Sequence, residues 1–459
     1  MYLPVCNSQN KQNIYQEEKQ ASKPNFIVIY TDDQRFDGIG VNNNEVIKTP
    51  NIDRMAKKGI QFKNANVAFS LCSPSRAALL TGRYGSSNGV LDLGSGFNIG
   101  EITLAQYLKK AGYVTALSGK WHIKQEPKSV GFDFYSYFIA NGAYYNRKTI
   151  NENDTIYPKE HVDLYSVKNS IKFLEQQHNS NKPFFLFHCP QTPHMNGNLV
   201  WDATDATKAT YNVNEMPVPK NHKEILDSKP NYLKTVRNLK QAQKYGYPDS
   251  LAIQKHTRDY YAVISELDAY LGVLFDKIEK LGLMKNTYIV FMSDNGWQLG
   301  DHGFTSKVLP YEPSSHVPFW IVGPDILPKK NTSLVSNLDV LPTLLDKAKV
   351  DIPKNIHGKS LLPILNNEQE VVRDYFVYEG LGLYGGTKPN LTIITDSLRY
   401  IRTYEDRELN KINFEELYDY KNDPWEVTNF VKDESKKNII NKMDKRINRF
   451  KNRVLKDKK

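Results

Sequence analysis

Phe26-Ile-Val-Ile-Tyr-Thr-Asp-Asp33 is an apolar run that passes through one threonine into two carboxylates. Three other stretches repeat the pattern. Tyr113-Val-Thr-Ala-Leu117 leads to Ser118-Gly-Lys120-Trp-His122, Phe184-Phe-Leu-Phe187 leads to His188-Cys-Pro-Gln-Thr-Pro-His194, and Tyr288-Ile-Val-Phe-Met292 leads to Ser293-Asp294-Asn295-Gly296. Short apolar runs without strict alternation suit strands buried on both faces. Helical patterns lie between them. The clearest runs from Tyr260 to Leu281, with Tyr260, Val263, Ile264, Leu267, Leu271, Leu274, Phe275 and Ile278 on one face. The alternation predicts an α/β fold with its sheet covered by helices. Ligands of such sheets sit beyond the carboxyl ends of the strands, so the four polar ends are expected to meet there.

The residues at these ends have chemistry in common. Asp32, Asp33, Asp294 and Asn295 together offer an all-oxygen cluster with three carboxylates, a donor set that selects Ca²⁺ or Mg²⁺ over zinc. Singly, Asp-Asp after a strand is also a helix cap and Asp-Asn-Gly an ordinary turn. Lys120 and His122 are two apart, which places them on one face of a strand end. A fifth segment, Cys72-Ser-Pro-Ser-Arg-Ala-Ala-Leu-Leu-Thr-Gly-Arg83, puts a cysteine before a helix with Pro74 suited to its first position and Gly82 to its stop. Cys72 then stands at a helix N-terminus, where anions are favoured. Arg76 is one turn further on, ready to pair with an oxyanion. The plain alternative is a buried cysteine ahead of a helix.

This segment resembles, at every defining position, the modification motif of the type I sulfatases of the alkaline-phosphatase-like superfamily. The resemblance implies that a separate maturation enzyme converts Cys72 to formylglycine, whose hydrated aldehyde is the nucleophile. It assigns Asp32, Asp33, Asp294 and Asn295 as metal ligands with residue 72 completing the shell. It gives Lys120 and Lys307, the latter in Gly300-Asp-His-Gly-Phe-Thr-Ser-Lys307, sulfate-binding roles. His122 would hold and deprotonate the nucleophile, and His194 would contact the ester and protonate the leaving oxygen. Tyr311-Glu312, Val317-Pro318, Asn337-Leu-Asp339-Val-Leu-Pro-Thr343 and Glu416-Leu-Tyr-Asp419 with Asp423-Pro424 resemble later family segments. The implied fold is a large, mixed, mostly parallel sheet with helices on both faces and a smaller C-terminal antiparallel subdomain. Two departures stand out: His316 where many relatives have arginine, and Ile123-Lys124 in place of Leu-Gly. With Arg35 and the pair Tyr144-Tyr145, these are candidates for shaping a substrate subsite, each with a structural role as the alternative.

The chain has 459 residues, three cysteines and a net charge of +10. With Cys72 committed to chemistry, Cys6 and Cys189 leave no disulfide framework. No stretch approaches the roughly 20 apolar residues of a membrane span. The charge is concentrated in residues 436–459, with eleven Lys/Arg against two Asp. There Ile440, Met443, Ile447, Phe450 and Val454 recur at helical spacing, which predicts an amphipathic helix with a solvated basic face. No motif supports nucleic-acid binding. Residues 1–23 read as a polar tether or signal remnant, 24–367 as the catalytic domain, and 368–459 as an α+β subdomain. Leu3 and Cys6 have lipobox spacing without the basic and apolar regions that should precede them, so a lipid anchor on Cys6 and no role for it both stay open. The expected location is periplasmic, cell-surface or secreted.

The expected activity is hydrolysis of a sulfate ester on a carbohydrate such as ulvan, carrageenan, fucoidan or a glycosaminoglycan. The rivals are a phosphate or phosphonate monoester hydrolase and a sulfated-glycan binder without turnover. Residues 197–250, polar and poor in periodicity, are expected to form a rim over the site.

Overall fold

The structure, a computed structural model, describes residues 23–180 and 182–457, excepting the side chains of 454–457. Cys6, the tether apart from Lys23, and the side chain of Val454 lie outside the described residues. The first strands are β1 (Asn25–Thr31), β2 (Ile60–Asn66), β3 (Val114–Trp121), β4 (Phe134–Ile139), β5 (Thr149–Asn151), β6 (Thr155–Ile156), β7 (Phe184–Cys189) and β8 (Thr287–Ser293). They are followed by β9 (Gln298–Leu299), β10 (Thr305–Ser306), β11 (Phe319–Val322) and β12 (Lys329–Ser336). Ten of these form one sheet in the order β12-β2-β11-β8-β1-β7-β3-β4-β5-β6, and β9 pairs with β10 alone. From β8 to β4 the strands run parallel. β11 is antiparallel to both its neighbours.

β1 shows why the apolar runs lack alternation. Phe26, Val28 and Tyr30 enter one apolar cluster, with Leu79, Leu104 and Leu341. Ile27 and Ile29 enter another on the opposite face, with Ile52, Leu174 and Leu271. The first face is covered by helices Cys72–Thr81, Leu104–Lys110 and Val340–Lys347, the second by Pro50–Ala56, Val162–His178 and Ser250–Lys280. The last helix begins ten residues before the predicted Tyr260. Asp249 caps it by accepting from the Leu251 N–H at 3.0 Å, and its polar first turns hide the apolar period.

The C-terminal strands β13 (Phe376–Gly380), β14 (Asn390–Ile394), β15 (Leu398–Tyr404) and β16 (Ile412–Asp419) form an antiparallel meander. The antiparallel sheet agrees with the expected C-terminal subdomain; in β16, Ile412 is exposed, Asn413 to Glu415 are half-buried, and Glu416 to Tyr418 are buried. The basic helix Lys437–Asp457 buries Met443, Ile447 and Phe450 in this sheet's cluster, which also takes Phe69, Leu71 and Ala78 from beside Cys72. Residues 197–250 carry several short helical turns and the helix Arg237–Lys244. They are pinned to the small sheet by the buried Lys229, whose ammonium donates to Tyr418 Oη at 2.9 Å and lies 4.4 Å and 4.6 Å from the ring centres of Tyr311 and Tyr418. Among the described residues, no helix is long and apolar enough to cross a membrane.

Candidate active site

The parallel register of β1 with β8 pairs Thr31 with Ser293 and so sets Asp32 beside Asp294. The Asp294 N–H donates to Thr31 O at 3.0 Å, and the Asp33 N–H donates to Asp294 Oδ1 at 3.2 Å. Asp33 turns through a left-handed φ of 66°, and the Tyr260 hydroxyl holds its carbonyl at 2.7 Å. β3 runs on past its apolar part to deliver Lys120. It passes so close to β7 that a Cβ on Gly119 would lie 2.0 Å from Cys189 O.

The helix on the Cys72 segment spans Cys72–Thr81, with Leu71 as its N-cap. Cys72 is therefore its first residue and Pro74 its third, not its first. The first turn has no intrahelical partner for its N–H groups, so proline costs nothing there. Gly82 ends the helix at φ 64°, as expected.

The Cys72 sulfur meets three of the distant residues. Lys307 Nζ lies 2.8 Å and Lys120 Nζ 3.6 Å from Sγ, and the thiol donates to Asp32 Oδ1 at 3.3 Å. Lys120 is ion-paired with Asp32 and Lys307 with Asp33. Lys307 is held between two left-handed residues, Ser306 at φ 74° and Val308 at φ 83°. Such conformations cost about 1–3 kcal/mol each and persist where the surroundings enforce them. Burial pushes the Cys72 thiol up to about 12, so an unconverted Cys72 keeps its proton near neutral pH.

Arg76 departs from its expected use. Its Nε and Nη2 both donate to Asp294 Oδ2, at 3.0 and 2.8 Å, and its Nη1 donates to Lys120 O at 3.2 Å. The guanidinium is 1 % exposed, and it holds a carboxylate of the cluster instead of facing the cavity as an oxyanion partner.

His194 Nε2 lies 3.5 Å from Asp33 Oδ2, and its Nδ1 donates to Met195 O at 2.8 Å. Burial lowers His194 to about 3, so the ring is neutral and presents the Nε2 lone pair. His122 is likewise lowered, to about 2, by burial and then by Lys120. Its Nδ1 is buried and has no hydrogen-bond partner among the described residues.

The acceptors fit a hard cation. Asp33 Oδ2 and Asn295 Oδ1 are buried and have no hydrogen-bond partner among the described residues. Burial raises Asp33 to about 6 and Asp294 to about 7, against the pull of Lys307 on the first and Arg76 on the second. The cluster is thus short of positive charge, and its oxygens suit Ca²⁺ or Mg²⁺. Ligand atoms of Asp32, Asp33, Cys72 and His194 lie within 4.8 Å of one another. His194 thus joins this group, while Asp294 is partly taken by Arg76.

A cavity of about 110 Å³ opens onto Cys72, His122, His194 and Lys307. Its walls are residues the sequence reading did not single out, among them Arg237, Gln241, Tyr245, Trp297 and Tyr384. The first three come from the rim segment. Trp297 could have been found by its place directly after Asp294-Asn-Gly296, whereas Tyr384 gives no local signal. Arg35, Tyr144, Tyr145 and His316 do not line the cavity. Arg35 is ion-paired with Asp37 and Asp301. The Tyr144 hydroxyl donates to His194 O at 2.7 Å. His316 stacks on Phe36 and pairs with Glu312. Ile123 is buried and Lys124 is exposed.

The family model "Sulfatase" matches residues 24–350, and "N-sulphoglucosamine sulphohydrolase, C-terminal" matches residues 300–453. The chain is 30% identical to N-acetylglucosamine-6-O-sulfatase of Bacteroides thetaiotaomicron, over 90% of this chain and 83% of that protein. It is 26% identical to an ulvan-active sulfatase of Formosa agariphila, over 97% of this chain and 84% of that one. A solved structure described as a complex with its substrate D-glucosamine-2-N,6-O-disulfate superposes with a TM-score of 0.85 at 27% identity, covering 95% of this chain and 100% of that one.

Proposed function

The chain belongs to the sulfatase family and is a sulfuric ester hydrolase, and from that premise we propose that it removes sulfate from a sulfated carbohydrate, with Cys72 converted to formylglycine by a separate maturation enzyme. The observation that carries this reading is the Cys72 sulfur on the cavity floor, met by Lys307 at 2.8 Å and Lys120 at 3.6 Å. The relatives named for amino-sugar and ulvan sulfates support a carbohydrate substrate, and a polymer met outside the cell calls for a periplasmic or cell-surface location.

Formylglycine supplies a hydrated aldehyde, one hydroxyl of which can attack sulfur while the other can later expel sulfate. Asp32, Asp33, Asn295 and Asp294 would hold one divalent cation, Ca²⁺ by preference, which lowers the cost of deprotonating that hydroxyl and neutralises sulfate oxygens. Lys120 and Lys307 place two ammonium groups where charge develops, and both are fixed before substrate arrives. Arg76 keeps Asp294 in place. His122, neutral and with an uncommitted Nδ1, takes the proton from the nucleophile's side. Lys307, an ammonium on the cavity, gives a proton to the leaving oxygen, which departs as the alcohol, and regains one from water; His194, neutral with its Nδ1–H on Met195 O, has no Nε2 proton to give and lines the ester's pocket.

The test is mass spectrometry of the Cys72 peptide together with sulfate release from a panel of sulfated glycans. Protein made with a maturation enzyme should carry the aldehyde and turn over. Cys72→Ser should be inactive in a host that modifies cysteine only. Full activity from an unmodified thiol would sink the mechanism.

A further inference from the structure

The floor of the cavity accounts for one sulfate, and its wall carries a second cation that has no acidic partner among the described residues. Arg237 begins the helix Arg237–Lys244, and its side chain is exposed on the cavity wall. Its Nη1 donates to the Tyr384 hydroxyl, and the guanidinium carbon lies 5.3 Å from the centre of that ring. The Arg237 N–H donates to Gly385 O at 2.8 Å, so backbone and side chain are both tied to the loop between β13 and β14. That loop is itself anchored: the Leu383 N–H donates to Asp92 at 2.9 Å, and Arg407 pairs with the same carboxylate.

The guanidinium is therefore positioned, yet among the described residues its Nε and Nη2 have no protein partner. Among the described residues, no Asp or Glu lines the cavity, and its other cation, Lys307, is already committed to Asp33 and Cys72. An arginine fixed by one nitrogen on a cavity lined by no described carboxylate, with Nε and Nη2 uncommitted, is built to take an oxyanion side-on.

Resting on the sulfatase reading, the geometry points to Arg237 as a specificity residue for a second anionic group on the substrate. A sulfate or a carboxylate displayed beside the ester being cleaved offers the oxygen pair that the fork would bind. The substrate class is then a sugar sulfate bearing a further negative charge, rather than a neutral sugar monosulfate.

Binding to the full chain with Cys72 unconverted tests this without turnover. Calorimetry would compare an amino-sugar 6-sulfate, the same sugar with an added N-sulfate, and a monosulfated disaccharide carrying a uronate carboxylate. The wild type should bind at least one of the two doubly charged ligands ten-fold or more tightly than the monosulfate. Which of them gains distinguishes sulfate from carboxylate as the second group. Arg237→Gln should abolish the preference and leave monosulfate affinity within two-fold. Arg237→Lys should keep part of it, because it retains the charge but not the fork. The preference should shrink with added salt. Equal wild-type affinities for all three ligands overturn the inference. So does an Arg237→Gln loss that is the same for every ligand, which would make Arg237 a wall residue only. Turnover of 4-nitrophenyl sulfate by the converted protein is measured separately. Its absence beside an intact binding preference would count against the catalytic reading and not against Arg237.

Discussion

At the scale of single residues, identity was legible in the sequence and orientation was not. Asp32, Cys72, Lys120, Lys307 and Asp294 announce themselves by motif, and the fold does bring them together. Arg76 shows the limit. A helical turn after Cys72 places a guanidinium near the site, but its partner, Asp294, lies 218 residues away. Only the register of β1 with β8 decides that it faces a carboxylate instead of the cavity. This assignment predicts the behaviour of Arg76→Lys. A lysine makes one point contact where arginine places two nitrogens on Asp294 and one on Lys120 O. Thermal stability should fall by about 1–3 kcal/mol, and activity by ten-fold or more with it. A raised KM with an unchanged melting temperature would instead show that Arg76 binds substrate.

At the scale of elements, strands buried on both faces were readable because their apolar runs are continuous. Those at the margins were not. β2 carries Gln61, Lys63 and Asn64, and β12 begins Lys-Lys-Asn-Thr, so neither reads as apolar or cleanly alternating. The rim segment was legible as an excursion but not as an anchored one, since its anchors are single buried polar residues. Glu224 is one of them, paired with His302 and near Lys229. Burial pushes Glu224 up to about 7 from an ordinary 4.5, against the pull of Lys229. Burial holds His302 well below its usual range, so a protonated Glu224 donates to a neutral ring. Between pH 4.5 and about 7 the unfolded chain has released a proton that the folded chain keeps. Glu224 therefore removes stability as pH rises through that window, and the loss is complete above it. Glu224→Gln should flatten the dependence, gaining about 1–3 kcal/mol on the wild type between pH 5 and pH 8. Denaturant melts across that range check it, and parallel wild-type and variant slopes would refute it.

At the scale of the whole molecule, the C-terminal part helps to build the active site. Its small sheet packs against the residues around Cys72 and sends Tyr384 into the cavity wall. The basic helix turns Lys437, Lys442, Lys445, Arg449 and Arg453 to solvent, while Arg446 is buried. Removing that helix should cost stability before affinity. Met443, Ile447 and Phe450 each contribute about 1.5–3 kcal/mol if fully buried. A chain ending at residue 436 should melt at a markedly lower temperature while binding polysaccharide as before. An unchanged melting temperature with weakened binding would reassign the helix to the substrate.

The build of β1 limits which changes this chain tolerates. Its successive side chains feed opposite cores, and its end carries Asp32 and Asp33. Exchanging one aliphatic residue for another along it disturbs a single contact. Deleting one residue swaps every inward side chain to the wrong face and draws both aspartates back by about 3.3 Å. The strand behaves as a ruler: spelling errors are local, whereas an error of length is felt in the core and at the active site at once.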